Sequence, residues 1–202
     1  TYTKYVMNFP AQGDDYYTAE AGVRKNYYNV SGVPTMVLNG RDHTYLAVTQ
    51  EEIDENYNST AFVDIRGAFK LDGNNININI DVMPYTDLNN KRLFVTVNEK
   101  TTVENVEVVN GSNSEFHHIM MKMITGSQGE TINLTEGTQQ HFEYSYDMST
   151  TFVEEINDLE VAVWIQDYET KEVYNSRFLY EYTEHPYPVE NLTLNNINKD
   201  IE

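Results

Sequence analysis

From residue 61 onward, apolar residues recur at every second position. Ile76, Ile78, Ile80 and Val82 alternate with Asn77, Asn79 and Asp81, the pattern of a strand with one wet face. Leu93–Val97, Val103–Val109, His117–Ile124, Phe142–Tyr146, Leu159–Ile165 and Val173–Leu179 add further strand candidates. Turn clusters divide them: Leu71-Asp-Gly-Asn-Asn75, Asn110-Gly111 and Gly126-Ser-Gln-Gly129. Short strands with regular turn signals and no helical stretch between them predict an antiparallel sandwich. The run VAVWIQ, Val161–Gln166, breaks the alternation, as a strand buried on both faces or at a sheet centre would.

The first 58 residues follow a different pattern. Thr3–Phe9 is short and β-rich, bounded by Pro10 and Gly13, and predicts a strand and a turn. Asp14–Tyr28 carries acids early and Arg24 and Lys25 late, the polarity that suits a helix macrodipole. Two short strands then flank Asn39-Gly40, a strong hairpin signal. Thr49 with Glu52 three residues on is a capping box for a helix to about Tyr57. The order is strand, helix, strand, strand, helix. Beyond 182, Pro186 and Pro188 interrupt pairing, and the tail reads as a C-terminal extension.

Composition narrows the classes open to such a chain. In 202 residues, 32 acids face 13 cations, a formal charge of −19 that argues against nucleic-acid partners and polybasic membrane contact. Charged residues are 22% and aromatics 12%, enough apolar material for a core. Cysteine is absent, which removes disulfides, thiolate metal sites and cysteine nucleophiles from these residues. No apolar run approaches the roughly 20 residues of a membrane helix.

One stretch is distinctive: Val30-Ser-Gly-Val-Pro-Thr35, followed by Met36-Val-Leu-Asn-Gly40. It resembles the thioredoxin superfamily, whose Val-x-Gly-x-Pro-Thr precedes an antiparallel hairpin. The resemblance implies a cis Val33–Pro34 bond in a structural turn formed by Val33, Pro34 and Thr35. Across about residues 1–180, MNFP, GDDYY, YYNVSGVPT, EFHHIMMKMI and IQDYETKEVYNS together are similar to the Omp-twenty-eight-related surface proteins of the Bacteroidetes. There a thioredoxin-like domain precedes a β-sandwich. That resemblance implies an extracytoplasmic protein of the outer membrane or cell surface of a Gram-negative bacterium. Thioredoxin chemistry needs a Cys-x-x-Cys thiolate, which these residues lack. The family's first strand and helix would fall before Thr1, so an upstream segment carrying that pair is expected under an oxidoreductase reading.

Other candidate chemistry is thin. Adjacent strand residues point to opposite faces, so His117 and His118 predict one inward and one outward imidazole rather than a chelate. His43, His141 and His185 stand alone. Asp14-Asp15, Glu51-Glu52 and Glu154-Glu155 sit where carboxylates cap turns and helix starts. Asp72-Gly-Asn-Asn75 offers hard oxygens for calcium but lacks EF-hand spacing. Tyr16-Tyr17 and Tyr27-Tyr28 suit a seam or a partner surface, and Met120, Met121 and Met123 suit core filling.

The reading is α+β: the C-terminal part of a thioredoxin-like fold at 1–58, then an antiparallel immunoglobulin-like β-sandwich at 59–182 and an extension at 183–202. No catalytic, cofactor-binding or metal residue is assigned, and no cofactor is expected. The expected function is a non-enzymatic surface protein binding a protein or glycan, with no membrane-spanning segment. The alternative is the thiol–disulfide oxidoreductase whose Cys-x-x-Cys lies upstream.

Overall fold

The computed structural model describes residues 1–8, 14–44, 48–103 and 115–182. Among the described residues it is mostly sheet, with two α-helices and two short 3-10 turns. The first helix, α1 (Ala19–Tyr27), is capped by the Thr18 side chain, which accepts from the Ala21 amide at 3.2 Å. It begins five residues later than the acidic run alone suggests, because Asp14 instead caps a turn by accepting from the Tyr16 amide at 2.9 Å. Strands β1 (Thr35–Leu38) and β2 (Arg41–Thr44) form a hairpin around Asn39 and Gly40, both with positive φ. Helix α2 (Gln50–Tyr57) starts with the capping box: Thr49 and Glu52 exchange side-chain and backbone hydrogen bonds.

The segment expected as a strand at 3–9 departs from the reading. Among the described residues it makes a single parallel bridge, Lys4 to Ile119, and does not join the β1–β2 hairpin. The Lys4 amide donates to the His118 carbonyl at 2.8 Å, and its carbonyl accepts from Met120 at 3.0 Å. A period-two run specifies an extended chain but not its neighbour, and here the available edge belongs to a distant strand.

The remaining strands are β3 (Val63–Asp72), β4 (Asn75–Pro84), β5 (Leu88–Thr102), β6 (Phe116–Met123), β7 (Glu130–Leu134), β8 (Gln140–Asp147), β9 (Leu159–Gln166) and β10 (Val173–Glu181). They form one path, β6-β5-β9-β10-β3-β4-β8, with β7 also on β5. All pairings are antiparallel except one: β10 leaves β9 at Leu179 and pairs in parallel with β3 at Tyr180 and Glu181. The sheet curls there, so inward residues of its two arms share a core. Ile65, Phe69, Ile76, Ile78 and Ile80 meet Leu93, Val95, Val97, Val161, Val163 and Ile165, all almost wholly removed from water.

The sequence did not single out β3 or β7 as strands. The expected strand at 103–109 from residue 104, the His43 side chain, Pro10, Gly13, Asn110-Gly111 and the tail from Thr183 with His185 lie outside the described residues.

The two arms differ on their outer faces. In β4 buried positions alternate with exposed or half-buried ones, and β8 alternates between half-buried and exposed, so their outer face is wet. All eight residues of β9 are buried. A second cluster explains this: Phe94, Met120, Met123 and Trp164 on the outer face are covered by Ala21 of α1, with Tyr5 and Met7 beside them. Phe94 and Trp164 stack with centroids 4.9 Å apart and planes 10° from parallel. Met120 and Met123 thus fill the seam, while Met121 fills the core.

Candidate binding site at one end of the covered face

The covered face is apolar in the middle and polar at both ends. At one end, residues 2 and 3 lie over Asn98, whose side-chain amide donates to the Tyr2 carbonyl, Thr3 Oγ1 and Glu160 Oε1 at 3.3–3.5 Å. His118 Nδ1 lies 2.7 Å from Glu160 Oε1. His118 has φ +57, three residues before the register shift at Met121 between β5 and β6, and His117 sits 55% exposed with its ring centroid 6.5 Å away. The two histidines do not converge. Among the described residues no group of three or more His, Asp or Glu is arranged to hold a metal ion.

The opposite end holds a cavity of about 200 Å³, lined by Asn89, Asn90, Lys91, Arg92, Asp167, Tyr168 and Glu169. One wall is a β-bulge. Leu88 pairs with Leu134 and Lys91 with Ile132, so β5 holds one residue more than β7 between them. Asn90 takes φ +54, and its amide donates to Asn133 Oδ1 at 2.8 Å. Asparagine tolerates this left-handed conformation better than most residues. Asn89 and Asn90 line the cavity from its solvent-exposed side, and among the described residues neither side chain has a protein hydrogen-bond partner.

The other wall is the turn between β9 and β10, tied by its own first residue. Asp167 Oδ1 accepts from the Glu169 amide at 2.9 Å and the Thr170 amide at 2.8 Å. Asp167 Oδ2 lies 2.6 Å from Lys91 Nζ, which bridges the two walls. The Lys91 ammonium and these amides hold the Asp167 carboxyl down at about 2, and the same pair raises Lys91. Arg92 lies over the Tyr168 ring at 5.4 Å, and its Nη1 donates to Thr131 Oγ1.

Helix α1 clamps that turn from behind. Tyr27 donates its hydroxyl proton to the Tyr168 carbonyl at 2.8 Å, and the two rings lie 4.6 Å apart. Gln166 Nε2 donates to the Tyr28 hydroxyl at 2.9 Å and to the Lys171 carbonyl at 2.8 Å. Arg24, 1% exposed, donates from Nη2 to Gln166 Oε1 at 3.0 Å and to the Tyr28 hydroxyl at 2.7 Å. Its guanidinium lies 4.5 Å from the Tyr27 and Phe94 ring centroids and 4.8 Å from that of Tyr28. Among the described residues this buried charge has no carboxylate partner, so ring faces and neutral oxygens hold it. Burial pushes the nearby Tyr5 hydroxyl up to about 12, with the Arg24 charge acting the other way. The hairpin also touches the turn: any Cβ on Gly40, at φ +86, would collide with the Lys171 carbonyl.

Of the residues the sequence marked, Tyr27 and Tyr28 belong to this clamp. Tyr16 is buried in the core, donating to Glu154. Val33 and Pro34 stand before β1 and Thr35 opens it; the Val33–Pro34 peptide is cis, and Thr35 Oγ1 donates to the Gly32 carbonyl at 2.8 Å. The acidic pairs cap: Glu52 at α2, and Glu155 at a short 3-10 turn by accepting from the Asn157 amide. Asp72 and Asn75 are paired across the β3–β4 hairpin. His141, which looked solitary, lies between Asp81 Oδ1 at 2.9 Å and Glu143 Oε1 at 3.2 Å. The cavity residues went unmarked. Their signals were Asn89-Asn90 before the apolar run of β5, and Asp167 two and three residues ahead of the amides it caps.

Together these features define a sheet-rich α+β protein, with a helix and an extended segment laid over one outer face and a polar cavity at that face's end. The family model for outer membrane protein Omp28 matches residues 22–177, so the chain belongs to the Omp28 family and lies at the outer membrane or cell surface. HBP35 of Porphyromonas gingivalis aligns with a TM-score of 0.64 and 14% identity, over 85% of this chain and 61% of that one. At that identity the likeness is one of fold, and the chain spans 61% of HBP35's length. A domain of the outer membrane lipoprotein Omp28 from Porphyromonas gingivalis aligns at a TM-score of 0.42 and 16% identity, over 61% of this chain and 90% of that domain. No curated protein matches the sequence at a significant level. Among the described residues no helix is long and apolar enough to cross a membrane.

Proposed function

We propose that this member of the Omp28 family is a non-enzymatic surface protein that binds a glycan or protein through the cavity between the β5 bulge and the β9–β10 turn. The observation that carries this reading is the state of the cavity's charged groups. Lys91 and Asp167 neutralise each other at 2.6 Å, with the carboxyl held near 2 and the ammonium raised. Neither exchanges a proton near neutral pH, which general acid–base catalysis requires. What the cavity offers instead is hydrogen-bonding side chains carried on two braced walls.

The architecture belongs to the same proposal. Residues 1–58 form the C-terminal part of a thioredoxin-like fold, 59–182 an immunoglobulin-like β-sandwich, and 183–202 an extension. The helix–hairpin–helix order supports the first assignment, and the curled antiparallel sheet with one shared core supports the second.

Binding of the fluorescently labelled chain to intact cells of the producing bacterium tests the function. The expected result is saturable binding that falls at least tenfold in an Asn89→Ala/Asn90→Gly variant of unchanged melting temperature. Equal binding by that variant, or turnover of a surface glycan or peptide by the wild-type chain, overturns the reading.

A further inference from the structure

We infer that the ligand group seated in this cavity is a single uncharged sugar ring, a specification that rests on the binding role proposed above. Charge comes first. Two cations, Lys91 and Arg92, face two acids, Asp167 and Glu169, so the wall is formally neutral within a chain of −19. A cationic ligand finds no uncompensated acid pair here. A carboxylate or phosphate approaching Arg92 meets Asp167 and Glu169 as well.

Donor and acceptor pattern comes next. Asn89 and Asn90 each carry an amide that donates and accepts, and neither side chain is used by the described protein. Arg92 donates only, and the Glu169 carboxylate only accepts. Sugar hydroxyls both donate and accept, so adjacent hydroxyls of one ring satisfy such a mixed wall. An apolar ligand would strip water from these groups and return nothing.

Size and rigidity then restrict the ligand. About 200 Å³ lies below the 300–1,000 Å³ of sites that enclose drug-sized molecules, so one ring fits rather than a chain. The bulge fixes the backbone that carries the two asparagines, and the Asp167 turn and the Lys91 bridge fix the facing wall. The Tyr168 ring already packs against Tyr27 and Arg92, so recognition relies on hydrogen bonds rather than stacking on that ring. Hydrogen bonds exchanged with water give small net gains, so each ring binds in the millimolar range.

Backbone-amide NMR of the full 15N-labelled chain tests this, using glucose, galactose, mannose, N-acetylglucosamine and glucuronate as probes. At least one neutral sugar is expected to shift the amides of Asn89, Asn90, Tyr168 and Glu169 saturably. Asn90→Gly, which keeps the positive φ while removing the side-chain amide, should weaken that sugar about tenfold or more. Glucuronate binding tenfold tighter than every neutral sugar would overturn the uncharged assignment. Absence of any sugar shift, with loss of cell binding in the Asn89→Ala/Asn90→Gly variant, would overturn the sugar and leave the binding role standing. Absence of both would overturn the two together.

Discussion

The two arms of the sheet share a core but have opposite outer faces. Across β3, β4 and β8 the outward residues are mostly polar, including Asn75, Asn77, Asn79, His141, Glu143 and Ser145, with Ala68 and Met83 among them. Across β5, β9 and β6 they are Phe94, Trp164, Met120 and Met123, sealed by α1 and the segment around Tyr5 and Met7. The cavity lies at the end of the sealed face, because covering that face also fixes the turn that walls the cavity. The open face has no such brace, and its polar residues answer mainly to water.

Trp164→Ala puts the largest strain on this contrast. Removing a stacked ring from the sealed face should cost about 3–5 kcal/mol in chemical denaturation, whereas Asn77→Ala on the open face should stay within about 0.5 kcal/mol. Similar losses at both sites would erase the distinction. Arg24→Ala comes next, at about 2–4 kcal/mol, since it removes a buried side chain that three rings and two oxygens surround. Arg24→Lys should recover little of that loss, because an ammonium lacks the planar face and fork of the guanidinium.

A buried acid at the core's end sharpens the picture further. Glu99 is wholly buried and accepts from the Glu154 and Glu155 amides at 3.0 and 2.6 Å. Burial raises its carboxyl above the usual range, the two amides oppose that, and the Asp158 and Glu155 charges add to it. The folded state therefore holds this proton more tightly than the unfolded chain does. Its contribution favours folding at low pH and declines as pH rises from about 4.5 through the folded value. Glu99→Gln should flatten that decline and cost about 1–3 kcal/mol at neutral pH, because one backbone amide then faces a side-chain NH₂.

The smallest effect belongs to the open face. Hydrogen bonds from His141 to Asp81 and Glu143 raise its imidazole above 6.5. Its stabilisation is fully present below that value and is lost as pH rises through the folded one. An NMR titration should place the His141 midpoint above 6.5, and Asp81→Asn should move it down. A midpoint unmoved by that substitution would detach His141 from its neighbours.

Much of the open face was legible, because alternation in β4 and β8 reports a half-wet strand whatever its partners. The unbroken run of β9 likewise announced a second buried side. It could not name the cover: Thr3–Phe9 looked like a strand of its own, and only tertiary packing lays residues around Lys4 on β6. Tyr27 and Tyr28 were legible as seam residues. Arg24 was not, since its place near a helix C-terminus suits a solvated charge equally well. Asn89 and Asn90 matter through a one-residue register shift, a property of the β5–β7 pair that neither strand's sequence carries alone.

Amide hydrogen exchange in Arg24→Met tests most directly whether the sealed face holds the cavity. The substitution keeps an apolar stem against the rings but removes the donors to Gln166 and Tyr28. Exchange at Glu169, Thr170 and Lys171, whose amides are bonded to Asp167, should quicken at least tenfold while β3, β4 and β8 stay protected. Unchanged exchange at those three amides would show that the turn stands without the clamp.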